Sequence, residues 1–239
     1  MPLTYQIEII SECALMIRFE DQDNDGGEAL SQHIGSVTSS LLFHLEPYLM
    51  NVTPSFHCIL VEYFPHRIQY DQIATRIHAI LPSTQKLSEL TTQTIELPVY
   101  YSLTTGPDLK IYQGKGMSVQ DVIEAHTKQT YSVAAIGFAP GFAFLAGLSP
   151  ALQLARKSTP RLFVPKGSVA IAENQTAVYP NNSPGGWNVI GNCPVSLYEP
   201  NRQPMLSFSI GTKVQFYSIG EEEFLELGGQ LYKDWNSAK

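Results

Sequence analysis

The chain has 239 residues, of which 44% are hydrophobic and 15% charged, and its formal net charge is −7. This length allows one large or two modest domains with a real core, and the composition is not that of a disordered protein. The acidic balance argues against nucleic acid or an anionic membrane as partner. The cysteines are three and widely spaced, and the first residues do not resemble a secretory signal, so we expect a reduced, cytoplasmic setting.

Charge is distributed unevenly along the chain. Residues 1–88 carry 4 basic and 10 acidic side chains, a net −6, whereas residues 89–239 carry 11 and 12, a net −1. We therefore predict two domains with a boundary near residue 88.

The first domain alternates strand and helix patterns. Short apolar runs predict strands at residues 5–9, 14–19, 55–63 and 94–99. Apolar residues at steps of three or four from Leu30 to Leu49 indicate a first helix, which ends near Pro47 or Tyr48. A second helix begins near Tyr70 and stops before Pro82. These elements predict a small α+β domain with two helices on one face of an antiparallel sheet.

The second domain begins with a helix and continues as short strands. Ser118 and Asp121 form a capping-box-like start, and His126 ends the apolar stripe of that helix. Strand-like runs then follow at residues 131–136, 169–172, 177–179, 189–190, 195–198 and 213–217, and a last helix is expected at 221–231. Many short strands interrupted by Gly and Pro predict a closed or nearly closed β-barrel.

The stretch 137–194 is the most distinctive part of the chain. It is rich in Gly, Pro and aromatic residues, as loops that shape a binding surface often are. No acid occurs between Glu124 and Glu173, although five cations do: Lys128, Arg156, Lys157, Arg161 and Lys166. This pattern favours an anionic small molecule as ligand. The alternative is a solvated cationic face.

General chemical motifs do not identify a reaction. The chain has no phosphate-binding G-x-x-x-x-G-K-[ST] loop and no G-x-S-x-G elbow. The cysteines and histidines lack the spacing of zinc ligands, so we expect no metal site. Ser168 and Ser183 would be nucleophiles only beside a base, and hydrogen bonding to backbone or ligand is the commoner role. A lone histidine such as His126 is more often a packing residue than a catalyst.

Three long segments carry a family resemblance. They are GFAPGFAFLAGL at 137–148, TPRLFVPKGSVAIAENQTAVYP at 159–180 and SPGGWNVIG at 183–191. In this order they resemble the family of the 5-oxoprolinase B subunit, also called the KipI or allophanate hydrolase subunit 1 family. The resemblance implies an N-terminal α+β domain over 1–88 and a cyclophilin-like β-barrel over 89–239.

The resemblance also implies an activity and partners. The B subunit acts with 5-oxoprolinase subunits A and C in the ATP-dependent opening of 5-oxo-L-proline to L-glutamate, so we expect this chain to be inactive alone. ATP would be bound in the assembled complex, at residues that the sequence does not identify. Two alternatives remain open, a KipI-like inhibitor of a sensor histidine kinase and a component of a urea or allophanate amide-hydrolysing system.

The resemblance implies a set of site residues. Arg161 and Lys166 would bind the carboxylate or a phosphorylated intermediate. The pocket would be walled by Trp187 and Tyr179, Gly185 and Gly186 would let backbone N–H groups approach an anion, and His126 would act as acid or base. The remaining predicted substrate-binding residues are Ser168, Thr176 and Ser183.

The sequence departs from the family pattern at two places. Members usually carry a Cys and paired glycines where this chain has Tyr100-Tyr101-Ser102, and Gly-Arg-Thr-Pro where it has Gly191-Asn192-Cys193-Pro194. Loss of the arginine removes one cation from the predicted site, which leaves the exact substrate open.

Overall fold

The computed structural model describes residues 4–20, 27–84, 94–201, 203–206 and 208–232. The described part of the chain mixes helices with a large, mainly antiparallel sheet, which confirms the α+β class. The predicted boundary at residue 88 lies outside the described residues, so the division into 1–88 and 89–239 stays a prediction.

The N-terminal half is a four-stranded antiparallel sheet with two helices. Its elements are β1 (Tyr5–Ser11), β2 (Ala14–Phe19), α1 (Glu28–Leu45), β3 (Leu49–Ser55), β4 (Cys58–Tyr63) and α2 (Tyr70–Thr84). The strand order is β1-β2-β4-β3, and the apolar stripe of α1 and the buried face of the sheet share one hydrophobic core. This arrangement agrees with the predicted layer except for the strand predicted at 94–99, which pairs with a strand of the second half.

The single strand predicted at 55–63 is wrong. These residues contain the end of β3, a turn and all of β4, because the chain reverses at Phe56 with a left-handed φ of 40°. The helix predicted to stop before Pro82 continues to Thr84 with that proline inside it.

The second half contains the remaining strands and three short helices. They are β5 (Thr94–Val99), α3 (Leu109–Gly114), α4 (Val119–Thr127), β6 (Thr130–Ile136), β7 (Ala143–Ala146), β8 (Arg161–Val164), β9 (Ser168–Ala172), β10 (Gln175–Val178), β11 (Ser183–Gly185), β12 (Asn188–Asn192), β13 (Lys213–Ser218) and α5 (Glu221–Glu226). The predicted capping box of α4 is confirmed, since Ser118 and Asp121 exchange hydrogen bonds. The last helix is shorter than predicted, because Gly228, with φ 88°, follows it in a left-handed conformation.

The strand ladders of the described residues do not close into a barrel. The main sheet continues through β3-β6-β7-β10-β9-β12, while β13 pairs with β6 and, in parallel, with β5. Only an isolated bridge between Tyr100 and Asn192 joins the end of β5 to β12. The closed barrel expected from the sequence is therefore not seen in these pairings.

The two halves meet at a close contact. Strand β3 pairs with β6 at Ser55 and Ala135, and Ile210 packs against the cores of both halves. A Cβ on Gly211 would lie 2.9 Å from Cα of Gln32, so only glycine lets this loop approach α1 so closely. No described helix combines the length and the apolar character needed to cross a bilayer.

Candidate functional site

A cavity of about 270 Å³ lies beside the turn between β11 and β12. We call it the aromatic cavity, because four of its lining side chains are Phe142, Phe144, Tyr179 and Trp187. The lining as a whole consists of Phe138, Phe142, Phe144, Arg156, Ala172, Glu173, Gln175, Tyr179, Gly185, Gly186 and Trp187. The structure thus brings together four residues predicted from the sequence, namely Tyr179, Gly185, Gly186 and Trp187.

The aromatic rings of the cavity pack edge to face. Phe142 lies at the centre, with ring centroids 5.2 Å from Tyr179 and 5.6 Å from Trp187 and interplanar angles of 87° and 88°. Phe144 meets the same tryptophan at 5.8 Å. Edge-to-face pairs contribute about 0.5–1.5 kcal/mol each beyond burial, so these walls are fixed in position.

The hydroxyl of Tyr179 is held against the glycine turn. Burial raises the pKa of Tyr179 to about 12, so the phenol is neutral at physiological pH. A Cβ on Gly185 would collide with this hydroxyl, whereas a Cβ on Gly186 would have its nearest neighbours at 3.7 Å. The first glycine is therefore required by the close approach of the tyrosine.

Backbone strain is concentrated at this cavity. Three described non-glycine residues have positive φ: Phe56 (40°), Phe138 (68°) and Glu173 (51°). Phe138 and Glu173 line the cavity, and the ring of Phe56 lies 5.9 Å from that of Phe144. Left-handed conformations cost about 1–3 kcal/mol for such residues and cluster at functional sites. The clustering marks the cavity as the candidate site.

The described lining carries one cation, Arg156, and one acid, Glu173. The backbone N–H of Arg156 donates to Oε1 of Glu173 at 3.4 Å, so the two residues are adjacent at the rim. Sequence reasoning named Arg156 among the cations but did not choose it as a ligand-binding residue. An arginine beside aromatic walls is suited to a flat ligand that bears a carboxylate.

A buried ion cluster stands behind the glycine turn. The carboxylate of Asp108 is almost fully buried and accepts two hydrogen bonds from Arg161, at 2.7 and 2.9 Å, and one from the Lys157 ammonium at 2.8 Å. The backbone N–H of Val189 donates to it at 2.7 Å. Burial by itself raises the pKa of Asp108, but the hydrogen bonds from Arg161 and Lys157 outweigh it, so the pKa lies below the ordinary value.

The cluster connects Asp108 to the wall of the aromatic cavity. The N–H of Lys157 donates to the carbonyl of Gly186 at 2.8 Å, and Arg161 pairs with Gly185 across the ladder between β8 and β11. The predicted anion ligand Arg161 is therefore engaged by a carboxylate of the chain itself. Sequence reasoning missed Asp108, which lies 53 positions away; the available signal was a cationic segment with no acid of its own.

Lys166 does not line the aromatic cavity. It lines a second cavity together with Asn182 and Asn192, and its ammonium donates to Oγ of Ser196 at 3.2 Å. The structure therefore separates the two predicted anion ligands, Arg161 and Lys166.

His126 and Thr176 lie in the core and have no exposed surface. Oγ1 of Thr176 donates to the carbonyl of Ala170 at 3.2 Å, so it accepts from Nε2 of His126 at 3.0 Å. The other ring nitrogen, Nδ1, then accepts from the hydroxyl of Tyr101 at 2.8 Å. Burial lowers the pKa of His126 to about 3, so its ring is neutral. The acid or base role of His126 stays a prediction.

Ser168 and Ser183 do not line the aromatic cavity. Their Oγ atoms are buried and have no hydrogen-bond partner among the described residues. Their predicted roles, like the ligand role of Thr176, stay predictions. In the described part of the chain, no three His, Cys, Asp or Glu side chains are grouped to hold a metal ion.

Comparison with known proteins identifies the family. The family model described as carboxyltransferase domain, subdomain C and D, matches residues 5–208. The 5-oxoprolinase B subunit of Bacillus subtilis (strain 168) is 33% identical over 239 residues, covering 94% of this chain and 97% of the relative.

Two solved structures are similar as well. That of TTHA0988 is 32% identical with a TM-score of 0.74 and covers 87% of this chain, which spans 40% of that longer protein. Urea amidolyase of K. lactis, at 14% identity and a TM-score of 0.62 over 94% of this chain and 15% of its own, shares the fold. These matches confirm the resemblance found in the sequence: the chain belongs to the carboxyltransferase domain, subdomain C and D, family, together with proteins named as the B subunit of 5-oxoprolinase.

Proposed function

We propose that this chain is the B subunit of an ATP-dependent 5-oxoprolinase and acts with subunits A and C to convert 5-oxo-L-proline to L-glutamate. The observation that carries the proposal is the match to a 5-oxoprolinase B subunit over nearly the full length of both chains. The aromatic cavity supports it independently, because its size and lining suit a small, flat, carboxylate-bearing lactam.

In this proposal the lactam ring packs against the aromatic wall to which Phe142 and Trp187 belong, and its carboxylate binds Arg156 at the rim. The neutral hydroxyl of Tyr179 would donate its proton to the lactam carbonyl. The hydrogen bond from the neutral tyrosine would polarise the lactam carbonyl, which is the group at which the ring opens.

The ion cluster has a supporting role in the same proposal. Arg161 neutralises Asp108 and holds Gly185 in place, so it would act on substrate binding through the cavity wall. We propose no substrate contact for His126, which lies in the core.

The finer fold and the assembly are also proposals. The bridge between Tyr100 and Asn192 would complete a cyclophilin-like barrel over residues 89–239, with 1–88 as the other domain. ATP would be bound by the assembled cytoplasmic complex, and the isolated chain would be inactive because its sequence has no recognisable nucleotide loop.

The test is the ATP hydrolysis of the chain co-purified with its partner subunits A and C, measured with and without 5-oxo-L-proline. We expect stimulation by 5-oxo-L-proline, and a tenfold or greater loss of kcat/KM for it in Arg156→Met, because a charge-assisted pair is removed. Arg76→Met, an arginine on α2 that stacks on Tyr48, is the matched control.

Two outcomes would count against the proposal at different levels. No stimulation of the assembled wild-type complex would overturn the oxoprolinase assignment. Stimulation with equal kcat/KM for the Arg156 variant and its control would place the carboxylate site elsewhere and leave the assignment standing.

A further inference from the structure

We propose that the second cavity, which surrounds Lys166, binds a small oxyanion, either a carboxylate or a phosphate. It measures about 360 Å³ and shares no lining residue with the aromatic cavity. Its polar side chains are those of Lys166, Asn182, Asn192, Gln230 and Tyr232. This inference goes beyond the proposed function and does not depend on it.

The backbone of Lys166 is fixed from both sides by lining residues of this cavity. Its N–H donates to Oδ1 of Asn182 at 2.7 Å, and its carbonyl accepts from Nδ2 of Asn192 at 2.9 Å. The next residue, Gly167, has φ 81°, and a Cβ there would lie 2.6 Å from Oδ1 of Asn192. The lysine therefore begins from a fixed turn, so a ligand does not have to order the backbone on binding.

Two amide side chains and the ammonium of the cavity have donors left for a ligand, whereas Asn192 uses its amide nitrogen on the Lys166 carbonyl. Oδ1 of Asn182 is the acceptor for Lys166, so the amide N–H groups of Asn182 are turned the other way. Oε1 of Gln230 accepts the hydroxyl proton of Tyr232 at 3.0 Å, which likewise assigns its amide nitrogen as donor. The ammonium gives one hydrogen to Ser196, and its other two remain for a ligand.

The charge of the lining also favours an anionic ligand. Lys166 is the charged residue in the described lining, and the lining includes no Asp or Glu. A site with one cation and several amide donors is complementary to a group that only accepts hydrogen bonds and carries negative charge. Carboxylate and phosphate oxygens have this chemistry, whereas a cation would be repelled by the Lys166 ammonium.

The experiment is a titration of the full-length chain with two probes, inorganic phosphate and L-glutamate, followed by calorimetry and by amide chemical shifts. We expect at least one probe to bind and to shift the amides around Lys166 and Asn182. We expect Lys166→Met to weaken that binding tenfold or more, and Lys166→Arg, which keeps the charge, to retain it within about threefold. Lys128→Met, at an exposed lysine after α4, is the matched control and should bind as the wild type does.

The outcomes distinguish a phosphate ligand from a carboxylate ligand, and the second cavity from the aromatic cavity. Binding of phosphate alone assigns a phosphoryl ligand, and binding of glutamate alone assigns a carboxylate. Arg156→Met should leave the amide shifts around Lys166 and Asn182 unchanged with either probe; if it abolishes these shifts while Lys166→Met does not, the anion occupies the aromatic cavity and the proposal is overturned. It is also overturned if neither probe binds, or if folded Lys166→Met, checked by its thermal transition, binds like the wild type.

Discussion

Asp108 organises the wall of the aromatic cavity, and its replacement by asparagine is the most informative single change. The asparagine keeps the size of the side chain but removes the charge that pairs with Arg161 and Lys157. Its amide nitrogen would face cationic donors where an acceptor is needed. The two cations would remain mostly buried, at 14% and 24% exposure of their side chains, and each would lose its contact with the Asp108 carboxylate.

The magnitude follows from burial. Removing one partner of a buried ion pair costs about 3–5 kcal/mol, because an uncompensated charge remains in a poorly solvated position. For a chain of this length each kcal/mol lowers Tm by about 2–4 °C, so Asp108→Asn should lower Tm by roughly 6–20 °C. Asp71→Asn is the control: it removes an exposed acid from the first turn of α2 and should cost less than about 1 kcal/mol.

The assay is denaturant unfolding of both variants and the wild type across pH 7 to 3. The pKa of Asp108 is depressed in the folded state, so its stabilising contribution is present above the unfolded-state pKa and is lost as pH falls through the folded pKa. The gap between the wild type and Asp108→Asn should therefore narrow in acid. Equal stability at pH 7, or a gap that does not change down to pH 3, would refute the assigned role of this carboxylate.

Three further predictions concern the cavity and the core. Gly185→Ala should abolish binding of 5-oxo-L-proline because its Cβ meets the tyrosine hydroxyl, whereas Gly186→Ala has room and should bind it; calorimetry on the assembled complex distinguishes the two. His126 has a pKa of about 3 in the folded chain, whereas its pKa in the unfolded chain is about 6.5. The free energy of unfolding should therefore fall by about 2 kcal/mol between pH 7.5 and pH 5, and measurements of unfolding against pH should show no such fall for His126→Asn. Phe56→Ala removes the ring that supports Phe144, so it should raise the KM for 5-oxo-L-proline severalfold and leave kcat nearly unchanged.

Local signals in the sequence predicted the longer helices and about half of the strands. The strand predicted at 195–198 is wrong, since it forms only an isolated bridge at Tyr198, and β7, β8, β11 and α3 were not predicted. The capping box at Ser118 and the apolar steps of α1 depend on neighbours within four positions, which a sequence displays directly. The hairpin between β3 and β4 was missed because its left-handed turn is formed by Phe56, a bulky residue that carries no turn signal. Phe56 adopts a left-handed conformation that glycine or asparagine normally takes, and its ring contacts Phe144, which is distant in sequence.

The candidate site was predicted only in part, for a related reason. Tyr179 and the Gly185-Gly186-Trp187 turn belong to a recognisable segment, and the structure places them around one cavity. The partner of Arg161 comes from Asp108, far along the chain, and sequence spacing gives no distance between them. A cationic segment without acids is thus compatible with either a ligand site or an internal ion cluster, and here the cluster takes two of the cations.

The two departures from the family pattern meet in space. Tyr100 and Asn192 exchange backbone hydrogen bonds of 2.9 and 3.1 Å, so a substitution in one segment can alter the backbone position of the other. The hydroxyl of Tyr100 donates to Glu221 at the start of α5, and the amide of Asn192 holds Lys166. Neither residue lines the aromatic cavity, whose glycine turn keeps the family pattern. The departure at Asn192 therefore lies at the second cavity and not at the aromatic one: at the second cavity an amide stands where family members usually carry an arginine, and Lys166 carries the charge.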